Sequence, residues 1–367
     1  MGGGFAILLA TQVLVLWCFG MSYQLLFGRS GMLSFGHAVN FGLAAFATTH
    51  AVRSLGALGW PVYELLPLAG AAVGLACGVV LGYPVTRRSG IAFAMVTLGL
   101  GELVAACFLM FPAFFGGEAG VTLQRTQVPS LLGLDYGQPL AQLLLTLAWA
   151  CAVWALVRAL QGTPFGLATL AVRENAQRIE YFGFRTATVR WVSCMVASTL
   201  AGVAGSLSAL AYEIVTVDAV SLHNSANVLL MTVIGGAQST LGPLVGAAFL
   251  TVMQSVVSDW TRAWLFYYGL VFVVLVLVAP QGVVGLWAQG RGVPSSRVLR
   301  TGLHVVGAAL VCVAFVETAY QVSQGEPTRL PGWQAMGPAA LQGVLWASGA
   351  LLLAGIVHWL RGQEAAV

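Results

Sequence analysis

The sequence predicts an all-α protein, a polytopic transmembrane helical bundle with short or broken helices. Three observations carry that prediction. Charged residues are only 8% of the 367, against roughly 25% in a soluble domain, and the mean hydropathy is +0.88. Apolar runs near the roughly 20 residues that cross a bilayer recur along the chain with short connections. A single long polar segment, residues 163–190, interrupts this pattern.

The spans read as 5–27, 31–53, 62–83, 90–112, 139–160, 186–212, 222–236, 244–258, 264–286, 302–322 and 338–360. The first has no arginine ahead of it and follows Met-Gly-Gly-Gly, so it is expected to be a retained helix rather than a secretory leader. Gly74, Gly78 and Gly82 form one small-residue stripe, and Gly242 with Gly246 another. Such stripes let helix backbones approach where lipid offers no hydrophobic drive for association. The runs 222–236 and 244–258 are short, either tilted spans or half-helices folded back where the backbone faces protein. Between them, GGAQSTLGP at 235–243 lacks the strand and lysine of a phosphate-binding loop and reads as a helix breaker.

Every cation is an arginine. The missing lysine excludes an ordinary Walker A site and a Schiff-base lysine, so no nucleotide-hydrolysing site is expected in this chain. The six cysteines lie singly in apolar runs, without metal or pairing spacing, and are expected to pack as small apolar residues.

The polar segment is expected to hold a helix. Thr163 suits the N-cap, Pro164 the first helical position and Gly183 the stop. Glu174 and Arg178 stand four apart, the spacing of a same-face pair. Leu167, Leu170, Ile179, Tyr181 and Phe182 add apolar surface that a solvated loop does not need, which favours a docking helix for another protein. If this loop is cytoplasmic and every span crosses, twelve of the sixteen arginines lie inside and four (Arg53, Arg125, Arg262, Arg329) outside, a strong positive-inside bias. The N-terminus then lies outside and the C-terminus inside.

Five motifs in order resemble the LivM-type permease, the membrane component of bacterial ABC importers for branched-chain amino acids and related small solutes. They are LLFGRSGMLSFGHAVNFG at 25–42, VTLGLGELV at 96–104, GGEAGV at 116–121, the PFG to GFR segment at 164–185, and GGAQSTLGPLVGA at 235–247, followed by APQGVVGL at 279–286. The resemblance implies a cytoplasmic coupling helix that carries Pro164, Phe165, Gly166, Arg173, Glu174, Asn175, Arg178 and Gly183. It also implies separate partner chains: a homologous second permease, two P-loop ATPase subunits and an extracytoplasmic solute-binding protein, with lipid around them and no nucleic acid. ATP and Mg would sit on the ATPase partners, with no cofactor in this chain. The location implied is the bacterial inner membrane. On this reading 1–287 is the permease domain, 288–301 a basic linker and 302–367 a C-terminal extension with two further transmembrane segments.

Asn40, Glu118 with Ala119, and Gln238 depart from the family pattern, so urea, short amides and aromatic acids join branched-chain amino acids as candidate solutes. The candidate pathway residues are His37, Asn40, Glu102, His223, Asn224 and Asn227, and Glu118 is the candidate facing the binding protein. Glu102 lies near mid-span, where an ionisable group needs pairing or water; it is a gate residue or a hydrogen-bonded helix contact. His37, beside Ser34 and Gly36, meets solute or donates to a helix neighbour. The rival class is a stand-alone channel or secondary transporter, which usually needs several ionisable groups near the midplane, and only Glu102 is so placed.

Overall fold

The computed structural model describes residues 2–260, 264–278 and 281–289. Segments 302–322 and 338–360, and the linker beyond residue 289, lie outside the described residues. Residues 1–248 form one compact unit and 249–367 a second.

The first unit opens with α1 (Gly2–Tyr23), which runs on through a π-helical turn, Gln24–Arg29. After a non-helical stretch come α2 (Ala38–Leu58), α3 (Leu66–Val80), α4 (Gly82–Val85), α5 (Ile91–Met110) and α6 (Pro112–Phe115). A short strand β1 (Val121–Thr122) precedes α7 (Pro139–Gln161), α8 (Pro164–Glu174) and α9 (Ala176–Tyr181). Then follow α10 (Thr186–Tyr212), β2 (Ile214–Val215), α11 (Leu222–Gly235) and α12 (Gly242–Val252), which crosses the unit boundary. The second unit holds a π-helical turn at Met253–Val257, then α13 (Ser258–Trp260), α14 (Trp264–Val278) and α15 (Gly282–Gln289). Within it, the rings of Phe249 and Tyr268 stack 6.2 Å apart.

The architecture is the all-α polytopic bundle the composition predicts. Among the described residues, six helical stretches are long and apolar enough to span a membrane: 4–29, 63–80, 91–110, 139–161, 186–212 and 264–285. Only α10 is mostly enclosed by protein, and it packs against α1, α2 and α3.

The stripe of glycines explains the tightest of these contacts. A Cβ at Gly74 would stand 2.2 Å from the Ser198 carbonyl, and one at Gly202 2.2 Å from the Gly70 carbonyl. The backbones of α3 and α10 therefore touch directly, as the stripe predicts.

One predicted span is wrong in extent. Residues 31–53 were expected to form one helix, but the helix begins only at Ala38. Gly31 sits at φ +70°, and a Cβ at Gly36 would meet the Thr97 carbonyl at 2.1 Å, so the segment lies as irregular backbone with Gly36 flush against α5.

The first short run resolves as a half-helix, while the second, α12, continues without a break through the π-helical turn at Met253–Val257. The 14 residues of α11 reach about 21 Å at 1.5 Å each, short of the roughly 30 Å of hydrocarbon. They start beside the start of α2, where the Ala38 N–H donates to Ser225 Oγ at 3.0 Å. Chain direction reverses in the turn 236–241, and α12 returns along α11: a Cβ at Gly246 would meet the Met231 carbonyl at 1.8 Å, and one at Gly235 the Gly242 carbonyl at 1.8 Å.

Candidate functional site

The arginine-rich end of the first unit carries the predicted polar helix. Thr163 Oγ1 accepts from the Gly166 N–H at 3.2 Å and donates to the Leu160 carbonyl at 2.6 Å, with Pro164 at the first helical position. Gly166 is required by the sharp corner between α7 and α8, since a Cβ there would meet the Leu160 carbonyl at 2.3 Å. Gly183 stops the segment at φ +84°.

The same-face pair of Glu174 with Arg178 is overturned. Asn175 leaves the helix at φ −155° and its side chain accepts from the Gln177 and Arg178 N–H groups, starting a separate helix, α9. Because Asn side chains compete for backbone donors, residues 174 and 178 do not share one continuous helix. Glu174 and Arg178 remain on the surface of this segment and Phe165 is half-buried, while Arg173 donates to the Gly28 carbonyl at the end of α1.

The helix pair has two faces. Ala168, Val172 and Ile179 are buried together with Val189 of α10. Leu167, Tyr181 and Phe182 point the other way, at 62%, 89% and 74% exposure. Five apolar residues were singled out in the sequence, and the fold buries only Ile179 fully. The outward three form an apolar surface at the end of the bundle richest in charge.

The irregular segment 30–37 brings polar groups together. His37 is buried, with Nε2 2.8 Å from Ser22 Oγ and its ring stacked on Phe19 and edge-on to Tyr23. These contacts match the packing role for His37. Tyr23 Oη donates to the Ser34 carbonyl, and the Phe35 N–H to Thr97 Oγ1. A cavity of about 40 Å³ is lined by Ser34, His37, Asn40, Thr97 and Ser198 among apolar neighbours. That volume holds a few waters and no amino acid.

The other pathway candidates separate from it. Asn224 completes the start of α11, its N–H donating to Ser221 Oγ and its side chain to the Ala219 carbonyl. Asn227 and the exposed His223 pair at 3.1 Å. Glu102 lies on an uncovered face of α5 with Met95, Gly99 and Leu103, and no atom approaches within 4 Å of a Cβ built on Gly99.

At the opposite end, Glu118 is exposed in a 3₁₀ turn between glycines of positive φ. Behind it β1 pairs with β2. Sequence reasoning missed the groups that hold this end. Glu64 accepts from the Leu131 and Leu132 N–H groups at 2.9 and 3.2 Å and from Tyr136 Oη at 3.1 Å. Burial, together with that bond to Glu64, pushes the Tyr136 phenol up to about 12. Arg125 and Glu213 form the one ion pair among the described residues, at 3.0 Å. Burial alone would raise the Glu213 carboxyl, but the Arg125 side chain, backbone N–H and charge together hold it below the ordinary carboxylate range. Glu213 also stands in the left-handed region at φ +57°.

Comparison with known proteins adds the family. A family model described as branched-chain amino acid transport system, permease component, matches residues 5–279. Two relatives, from Salmonella typhimurium and Escherichia coli, are each described as the high-affinity branched-chain amino acid transport system permease protein LivM. Each is 26% identical over 301 residues, which cover 75% of this chain and 69% of the relative. No solved structure matches significantly. With the spans, the half-helix α11 and a match over residues 5–279, the chain belongs to the family of permease components of branched-chain amino acid transport systems.

Proposed function

We propose that this chain is one membrane-spanning half of an ATP-driven importer for branched-chain amino acids, in a bacterial inner membrane. The observation that carries the reading is the two-faced helix pair α8–α9. One side is seated on the bundle through Ala168, Val172 and Ile179, and Leu167, Tyr181 and Phe182 stand free on the other. Exposed apolar side chains mark surfaces that another protein or the membrane covers, and their place on a capped helix pair seated on the bundle favours a protein. An ATPase subunit is the proposed partner, with Pro164, Phe165, Gly166, Arg173, Glu174, Asn175, Arg178 and Gly183 shaping the coupling segment. ATP and Mg then belong to that partner and none to this chain. Residues 1–287 constitute the permease domain.

A second, homologous permease covers the α5 face that carries Glu102. A carboxyl group near the middle of a span is costly against lipid, and a protein partner or a wet path between two permeases removes that cost. Asn40 and His37 border the path, and Glu118 lies on the side that receives a solute-binding protein. The relatives' description supports a branched-chain amino acid as solute, while Asn40 and Gln238 keep urea, short amides and aromatic acids as alternatives.

The test is copurification and uptake. Tyr181→Asp with Phe182→Asp should leave the chain folded and in the membrane but abolish copurification of the ATPase subunit and leucine uptake by the reconstituted complex. Retained copurification in the double variant would overturn the docking role.

A further inference from the structure

We propose that Gln24 and Arg173 are positioning residues that tie the helix pair α8–α9, through the π-helical turn at 24–29, to the turn 236–241 between α11 and α12. The inference rests on the importer reading above and names the route by which a movement of α8 reaches the membrane interior.

Four contacts compose the route. The Gly31 and Met32 N–H groups return to the Phe27 and Leu26 carbonyls, which leaves the Gly28 carbonyl to accept from Arg173. Gly28 in turn lies flat against the turn 236–241, since a Cβ there would stand 2.0 Å from the Ala237 carbonyl. Gln24, fully buried one turn earlier, donates through Nε2 to the Ser239 carbonyl at 2.7 Å. From the other side Thr240 donates to Gln161, the last residue of α7 before α8 begins, at 3.2 Å.

The turn 236–241 is thus gripped from two sides by groups adjoining α8. A π-turn is a rare helical defect that concentrates at working sites, and here it presents Gln24 to Ser239 and a free carbonyl to Arg173. The Gln24 Oε1 finds no partner among the described residues. Gly31, at φ +70°, leaves room for the Arg173 stem, which passes 3.0 Å from where its Cβ would be.

Two measurements test the route. In the purified full-length chain, Arg173→Ala should raise amide hydrogen exchange across 236–241 about tenfold, although Arg173 reaches this turn only through Gly28; unchanged exchange there overturns the linkage. In the complex reconstituted with its ATPase and binding protein, Gln24→Leu should keep assembly, basal ATP hydrolysis and the leucine KM, and lower leucine transported per ATP about tenfold. Gln24→Glu should recover coupling as pH falls, because a protonated carboxyl donates to the Ser239 carbonyl and a carboxylate does not. A wild-type ratio in Gln24→Leu, or a Gln24→Glu profile parallel to wild type, would defeat the proposal. A wild-type chain that recruits no ATPase would instead defeat the importer reading, and the exchange result still decides whether the linkage exists.

Discussion

Substituting alanine at two glycines, each inside a long helix, should have opposite effects on stability. At position 202 the added Cβ would lie 2.2 Å from the Gly70 carbonyl oxygen and 3.1 Å from the Gly74 Cα. A carbon and a carbonyl oxygen in comfortable contact stand about 3.3 Å apart, so α3 and α10 must part by roughly 1 Å. A gap of that size forfeits about a quarter to a half of the attraction of each contact it opens, and overpacking of this kind costs about 1–3 kcal/mol. The gain in helix propensity, up to about 1 kcal/mol, offsets part of it. At position 99 no atom lies within 4 Å of the new methyl, so the propensity gain stands alone. Gly202→Ala should therefore be less stable than wild type and Gly99→Ala equal or more stable, with the two roughly 1–3 kcal/mol apart. Reversible unfolding of the purified chain in mixed detergent micelles measures both. Equal stability of the two variants would refute the backbone-contact argument. Assembly gives Gly99→Ala a second readout: if a second permease covers this face of α5, the methyl should weaken permease pairing while the isolated chain gains stability.

Glu64→Gln keeps the shape but removes the charge from three hydrogen bonds, so it should cost about 1–3 kcal/mol and speed hydrogen exchange at 131–136; unaltered exchange there would show that other contacts hold the loop. The Glu213 carboxyl titrates below the ordinary range when folded. Its contribution to stability is therefore complete above the unfolded value of about 4.3 and is lost as pH falls through the folded value. Unfolding midpoints measured from pH 7 downward should fall in wild type near that acid limit, and Glu213→Gln should lack this component.

What the sequence revealed was local. The Thr163 cap, Pro164 and Gly183 act within one turn of chain, and each does in the fold what its residue type predicts. The glycine stripe at 74, 78 and 82 was legible because close helix contact leaves no other residue in its place. The late start of α2 was not, since the reasons for Gly31 and Gly36 are the Arg173 side chain and the Thr97 carbonyl, far away in sequence. The misjudged pair of Glu174 and Arg178 shows the reverse error: the spacing is right, and Asn175 between them takes the backbone donors for itself. Glu64 and Glu213 went unnoticed because their partners lie 67 to 88 residues away.

The two ways in which this bundle joins its helices divide it into parts of different stiffness. The contact between α3 and α10 is backbone against backbone, with Gly70, Gly74 and Gly202 leaving no side chain to rearrange. Such a contact has one geometry, because packed surfaces of this kind do not deform continuously. Helices α11 and α12 are also tightly apposed to each other at Gly235, Gly242 and Gly246, so they move as one piece. Against α1 that piece is packed as well, with Gly20 flush on Pro243 and Met231, but at α2, at the end of α7 and at the π-helical turn it is held by single hydrogen bonds involving Ser225, Gln161 and Gln24. Each of these is worth only about 0.5–1.5 kcal/mol net and can be exchanged for another partner or a water. With these joints exchanged, the hairpin can pivot on its contact with α1 while α3 and α10 stay locked. The small cavity beside Asn40 and His37 lies next to the start of α2, which Ser225 of that hairpin holds, so under the proposed function a displacement of the hairpin acts on the residues assigned to the solute path.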